Sequence, residues 1–172
     1  FDQRQAQLGR LLFYDKILSG NRNISCGTCH HHTLHGTDAL SLGIGEGGKG
    51  LGTDRTPGAG LTRIADRVPR NAPALWNLDH GAVRVMFHDG RVEKTDAKGM
   101  AFTTPAGDKT PRGLNSVLAA QALFPVSSPT EMAGAPDENE ISALFKESID
   151  LGWQALAQRV RDIPEYERLF IR

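Results

Sequence analysis

Hydrophobic residues recur at helical spacing near both ends of this chain and lose their period in between. Leu8, Leu11 and Leu12 stand at i, i+3 and i+4 behind Asp2, whose short carboxylate suits a helix N-cap. Ile17 and Leu18 lie beyond, and Ser19-Gly20-Asn21 predicts the stop. From Gly36 to Arg70 no period is sustained, and glycines crowd at Gly43, Gly45, Gly47, Gly48, Gly50 and Gly52. No strand pattern precedes that run and no Gly-Lys-Ser/Thr closes it, so it lacks the marks of a phosphate loop. A loop of this length in a compact domain is usually functional. Leu75 and Trp76 centre a short segment, and residues 94–112 are again polar and loop-like. A helix is expected from about Gly113 to Leu123, with Leu114, Val117 and Leu118 on one face, stopped by Pro125 and Pro129. Asp137 with Glu140 reads as a capping box ahead of Ile141, Leu144 and Phe145. Trp153, Leu156, Ala157 and Val160 form another stripe, and Pro164 opens a last helix carrying Tyr166, Leu169 and Phe170. The pattern predicts a mostly α domain with long irregular loops and no internal repeat.

Composition narrows the classes. The 172 residues suffice for one domain with its own core, with room for a small appendage. Lys plus Arg balance Asp plus Glu at 20 each, so charge points to neither nucleic acid nor an anionic membrane. No apolar run reaches the roughly 18 residues of a membrane span. Aromatic residues make up only 6%, low for a self-sufficient core of this size.

Candidate chemistry concentrates in Cys26-Gly27-Thr28-Cys29-His30, which holds both cysteines of the chain. Two thiols three positions apart can each add to one vinyl group of a porphyrin, and the adjacent histidine then falls where an imidazole nitrogen can bind the iron. A redox disulfide would want a βαβ pattern around it and would leave His30 idle. A Cys2His2 zinc site could recruit His31, His32 or His35, but the usual spacing places the histidine pair about a dozen residues downstream. Covalent haem c is the expected cofactor, and its porphyrin would supply the apolar mass that the aromatics do not. Bacterial attachment of this kind takes place outside the cytoplasm, which predicts a periplasmic protein. The start at Phe1, without a basic-then-apolar leader, fits an export signal already removed.

Further segments extend the pattern. They are Leu8-Gly9-Arg10-Leu11-Leu12-Phe13-Tyr14-Asp15, Leu18-Ser19-Gly20, Arg70-Asn71-Ala72-Pro73, Phe87-His88-Asp89-Gly90-Arg91, Gln121-Ala122-Leu123-Phe124-Pro125-Val126, Glu131-Met132 and Pro164-Glu165-Tyr166-Glu167-Arg168-Leu169-Phe170. With the cysteine motif, and in this order, they resemble the N-terminal half of bacterial di-haem cytochrome c peroxidases and their MauG-like relatives. The resemblance implies a single c-type cytochrome-like haem domain over residues 1–172. His30 would be the proximal ligand of the peroxide-reacting haem held by Cys26 and Cys29. Glu131 matches the family's distal acid–base carboxylate, Gln121 the distal glutamine, and Pro125 a residue lining the same pocket. Asn71 matches a ligand of a calcium ion between the two haem domains. Peroxide heterolysis needs a base that takes a proton from the near oxygen and returns it to the departing one, and a carboxylate can do both. Glutamine can donate a hydrogen bond without titrating.

Two departures change what the resemblance implies. His88 stands where the family usually has a tryptophan thought to carry electrons. Imidazole is far harder to oxidise than indole, which favours a hydrogen-bonding role to a propionate or water. Residues 36–70 also contain no histidine to cap the resting haem, which predicts an open or water-occupied distal face, as in MauG-like members. His35 is a minor candidate for a distal ligand, and His80 reads as a surface turn residue.

The family's second haem lies in a C-terminal domain that this sequence does not contain, so it is expected from a longer protein or a partner chain. Expected partners are hydrogen peroxide and an electron-donor protein, a small cytochrome c or a copper protein, or else a protein substrate. The rival reading is an electron-transfer cytochrome with a six-coordinate haem, its sixth ligand Met100 or Met132.

Overall fold

The computed structural model describes residues 2–96 and 101–171, whose regular structure is chiefly helical with one small sheet. The chain divides into two compact units, Phe1–Leu75 with Val126–Arg172, and Trp76–Pro125.

In the first unit, helix α1 (Gln3–Tyr14) starts where the Asp2 carboxylate accepts from the N–H groups of Arg4 and Gln5. It stops at Tyr14, earlier than its leucine stripe suggests. Asp15 leaves the helix in an extended conformation and its carboxylate accepts from Ile17 N–H at 2.9 Å, starting a 3₁₀ turn over Lys16–Leu18. The expected core face is also only partly covered: no residue of α1 is buried, and Leu11 is 45% exposed. Helix α2 (Cys26–Cys29) is a single turn, closed by a capping box between Ser25 and Thr28.

The C-terminal helices α4 (Glu140–Glu147), α5 (Ile149–Arg161) and α6 (Pro164–Ile171) complete this unit. Asn139 caps α4, accepting from Ile141 and Ser142 N–H, while the Ser142 hydroxyl accepts from Asn139 N–H. The expected Asp137 cap fails for a backbone reason. An N-cap needs extended dihedrals, which Asn139 has, whereas Asp137 lies at φ 64° and pairs with Lys146. In α5, Leu156 and Val160 are buried and Ala157 is exposed. A Cβ at Gly152 would collide with the Phe145 ring, so this glycine allows α4 and α5 to pack closely. Among the α6 residues whose burial is described, only Tyr166 is buried; Phe170 is 58% exposed. Ile24, Val126, Met132, Ile141 and Leu156 form the core cluster. Arg159 ties α5 to the segment before α2, donating to the Ser19 carbonyl at 3.0 Å while pairing with Glu140 at 2.7 Å.

The second unit is built on a three-stranded antiparallel sheet, β1 (Val85–Met86), β2 (Val92–Lys94) and β3 (Phe102–Thr103), in that order. Strands of two or three residues have no room for visible alternation, which is why residues 94–112 read as loop. Helix α3 (Val117–Gln121) is shorter than expected: Gly113 lies at φ 85°, and the Ser116 hydroxyl caps the helix by accepting from Ala119 N–H at 3.1 Å. Among the described residues of this unit, Val92, Phe102, Val117, Ala120 and Phe124 are the buried apolar ones. Phe87 adopts φ 66°, with the Arg91 guanidinium 3.6 Å above its ring, a cation–π contact that helps fix the turn.

Candidate haem centre

The backbone leading into α2 is held before the chemistry begins. The Ser19 hydroxyl accepts from Asn23 N–H at 3.1 Å and Ile24 N–H at 3.3 Å, while donating to the Lys16 carbonyl. Gly20 N–H donates to the Met132 carbonyl at 2.8 Å, and a Cβ at Gly20 would collide with the Ala133 carbonyl oxygen. The entry to α2 is therefore docked on the π-helical turn Pro129–Ala133, which carries Glu131.

Cys26 and Cys29 lie on one turn as free thiols, half-buried against the core cluster. Burial pushes the Cys26 thiol up, and pushes Cys29 to about 11 against the opposing charge of Arg55. Both are therefore protonated near neutral pH, the least reactive state for a redox pair. His30 Nδ1 lies 3.0 Å from the Gly36 carbonyl and 3.0 Å from the Pro73 carbonyl. Carbonyl oxygens only accept, so Nδ1 is the donor, and in the neutral ring Nε2 carries the lone pair that a metal can use.

Glu131 is half-buried. The glycine-rich loop links its turn to Cys29. Ile44 O is 4.0 Å from Cys29 Sγ, Glu46 N–H donates to the Thr130 carbonyl at 3.3 Å, and a Cβ at Gly45 would collide with that same carbonyl. The Glu131 charge lies close enough to Cys29 to contribute to the rise of its thiol pKa.

The loop's organiser escaped the sequence reading. Arg55, 5% exposed, donates from Nε to Ile44 O at 2.5 Å, from Nη2 to Gly45 O at 2.6 Å and from Nη1 to Gly50 O at 2.8 Å. Burial lowers its pKa, opposed by the charges of Cys29, Asp38 and Glu46. Glu46 accepts from the side-chain amides of Asn21 and Asn23. Asp38 is fully buried; one oxygen accepts from Leu40 N–H at 3.1 Å and the other has no hydrogen-bond partner. None of these residues sits in a motif. The available signal was physical: a run so rich in glycine needs an internal clamp to hold one shape.

The fold thus assembles Cys26, Cys29, His30 and Glu131 within the first unit. Asn71 belongs to that unit and is exposed. Gln121 and Pro125, both half-buried, belong to the second unit, as does His88, exposed on the Phe87–Gly90 turn. Met132 is buried in the core cluster, and Met100 lies outside the described residues. His35 is exposed at φ 57°, and His80 is an exposed turn residue whose Nδ1 accepts from Ala82 N–H at 3.2 Å. Among the described residues, no group of three or more His, Cys, Asp and Glu side chains is placed to hold a metal ion. No described helix is long and apolar enough to cross a membrane.

The donor set fits a haem held by two thioethers and one imidazole: two unbridged thiols share a turn, and the next side chain is locked with one ring nitrogen free. A calcium ion takes about six to eight oxygens, and the Asn71 amide could offer only one, so the side chains here fit calcium far less fully.

Comparison with known proteins places the chain among haem-bearing relatives. The family model described as di-haem cytochrome c peroxidase matches residues 3–172. The cytochrome c551 peroxidase of Pseudomonas aeruginosa is 28% identical over 118 residues, covering 67% of this chain and 29% of that protein. The methylamine utilization protein MauG of Methylorubrum extorquens is 31% identical over 99 residues, covering 57% and 23%. A second cytochrome c551 peroxidase, from Nitrosomonas europaea, is 27% identical over 128 residues, covering 74% and 26%. The matched stretches are thus less than a third of each relative's length, while the family match runs nearly end to end through this sequence. The chain belongs to the di-haem cytochrome c peroxidase family.

Proposed function

We propose that residues 1–172 form the N-terminal, c-type cytochrome-like haem domain of a periplasmic di-haem oxidoreductase that reacts with hydrogen peroxide. A haem c bound here supplies the iron and the redox chemistry at the peroxide O–O bond. Cys26 and Cys29 anchor it as thioethers, and His30 offers Nε2 to the iron. The two carbonyls on Nδ1 strengthen that imidazole as a donor and stop it rotating. Glu131 takes a proton from the near peroxide oxygen and returns it to the departing one. Gln121 donates a hydrogen bond to the leaving oxygen, and Pro125 lines the pocket without adding a donor. His88 acts through hydrogen bonds to a propionate or a water.

Electrons arrive from a second haem, in a C-terminal domain or on a partner chain, supplied by a small cytochrome c or a copper protein. In a MauG-like variant a protein side chain is oxidised instead. Asn71 contributes one oxygen to a calcium ion whose remaining ligands come from elsewhere.

The observation that carries this reading is the His30 ring fixed by Gly36 and Pro73 carbonyls, in the same unit as a half-buried Glu131 linked to Cys29 through the glycine-rich loop. Glu131→Gln in the complete holoenzyme tests it. Peroxide turnover should fall about 100-fold or more with the Soret band unchanged, since a positioned acid–base group contributes about 10²–10⁴. Undiminished turnover would remove Glu131 from the mechanism. A purely low-spin, six-coordinate ferric spectrum with no peroxide reaction would favour the electron carrier.

A further inference from the structure

One oxidisable side chain lies against the cysteine turn without a role in the reading above. Tyr14 ends α1, and its ring packs on α2: Gly27 is buried, and a Cβ there would collide with the Tyr14 ring. Its outer edge is open, with 44% of the residue exposed, along a cleft shared with Arg10 and Lys16. Tyr14 Oη lies 3.1 Å from His32 Nδ1. His31 stacks on His32 with ring centroids 4.6 Å apart and planes at 24°. The Nδ1 of His31 is in turn hydrogen-bonded to Thr33 Oγ1 at 2.7 Å. One aromatic group thus reaches from the turn that bears both thiols to solvent, with an imidazole on its hydroxyl.

We propose that Tyr14 is a one-electron redox site whose hydroxyl proton passes to His32, linking the haem turn to donors at the surface. A phenol that loses an electron becomes a very strong acid, so oxidation is easy only when the proton leaves in the same event. With His32 protonated on Nε2 rather than Nδ1, the 3.1 Å hydrogen bond aims it. Tyr14 gives one electron to a one-electron oxidant, and its proton moves along the bond to His32 Nδ1. A neutral phenoxyl radical and an imidazolium remain. A one-electron donor reaching the exposed ring edge restores the electron, and His32 returns the proton. Inside the protein the oxidant is the peroxide-oxidised haem, so the physiological role rests on the reading above; the Tyr14–His32 pair itself does not.

Tyr166, the second of the two tyrosines, is the internal control. Its hydroxyl also has an acceptor, Asp15 Oδ2 at 2.8 Å, but it is only 7% exposed and sits on α6.

The test uses the holoprotein in two arms. In one, hydrogen peroxide is added and the sample is frozen for electron paramagnetic resonance. In the other, flash-generated tris(bipyridine)ruthenium(III) serves as an outer-sphere oxidant that needs no peroxide. Both arms should give a tyrosyl signal that narrows with ring-deuterated tyrosine, vanishes in Tyr14→Phe and survives in Tyr166→Phe. In the ruthenium arm His32→Gln should slow radical formation about 100-fold, the scale of a lost positioned base, and abolish its solvent deuterium effect. A signal that survives Tyr14→Phe, or is indifferent to His32→Gln, overturns the proposal. A Tyr14 radical with ruthenium but none with peroxide leaves the pair standing and removes its link to the haem, and if peroxide is also not consumed the peroxide reading falls. Peroxide consumption without a Tyr14 radical in either arm does the reverse.

Discussion

The two units fix their functional side chains in different ways. In the first, pieces of the candidate centre are held by contacts from outside their own turn, some of them from segments distant in sequence. His30 is pinned by carbonyls of residues 36 and 73, Gly20 is docked on Met132 and Ala133, and the 43–55 loop is clamped by Arg55. In the second, His88 stands exposed on a turn fixed by neighbours, the Arg91–Phe87 contact and the Arg91–Asp89 pair at 3.0 Å. Gln121 ends a helix of 5 residues. Such long-range constraint suits the residues that must anchor a group and hold a proton donor at fixed geometry. Local constraint would suffice for the hydrogen-bonding roles proposed for Gln121 and His88.

Removing the anchors should break the first unit's role most completely. Cys26→Ala with Cys29→Ala should abolish covalent haem, read by haem-stained denaturing gels and intact mass. Amide protection across β1–β3 should stay unchanged. Haem retained through denaturation would show that the turn is not the attachment site.

A smaller effect sharpens the contrast in packing. Ile141 has 0% exposure in the first unit's core cluster, and Val92 has 0% exposure in the second unit's sheet. Ile141→Ala should cost about 4 kcal/mol, within the range of buried Ile-to-Ala changes. Val92→Ala removes less apolar surface from a smaller core and should cost about 2 kcal/mol. Urea unfolding gives both totals, and hydrogen exchange should place the first loss on α4 and α5 and the second on the strands. Equal costs would mean that the sheet is as tightly built as the helices.

How much of this was legible in the sequence follows from the range of each interaction. The Asp2 cap, the Pro164 start and the spacing of Cys26, Cys29 and His30 are local chemistry, and all are visible in the residue order. The Asn139 cap was missed because Asp137 offers an equally good side chain, and only the backbone dihedrals decide between them. The strands were missed because their sides are set by partners rather than by alternation. Arg55 and the lock on His30 were beyond reach for a stronger reason. Both act on backbone carbonyls, which every residue has, so no side-chain pattern announces them. Glu131 is a candidate only through family resemblance; its π-helical setting left no mark in the residue order.

The smallest effect tests the first unit's long-range ties at their edge. Tyr166 Oη donates to Asp15 Oδ2 at 2.8 Å, joining α6 to the exit of α1. Burial, then the hydrogen bond to Asp15 and its charge, push this phenol up to about 12 from its ordinary 10.0. The neutral phenol is thus favoured in the folded protein, while the unfolded chain begins to release the proton near 10. Between those values the unfolded state binds fewer protons, so stability falls as pH rises. The contribution is whole below the lower value and spent above the upper one. Tyr166→Phe should cost about 1 kcal/mol near neutral pH, the net worth of one hydrogen bond, because Asp15 keeps its other oxygen on Ile17 N–H. The variant should also lose less stability than the parent between about pH 8 and about pH 11, measured by urea unfolding at each. An equal alkaline decline in both proteins would mean that Tyr166 is only packed, and that α6 is held to α1 by its apolar face alone.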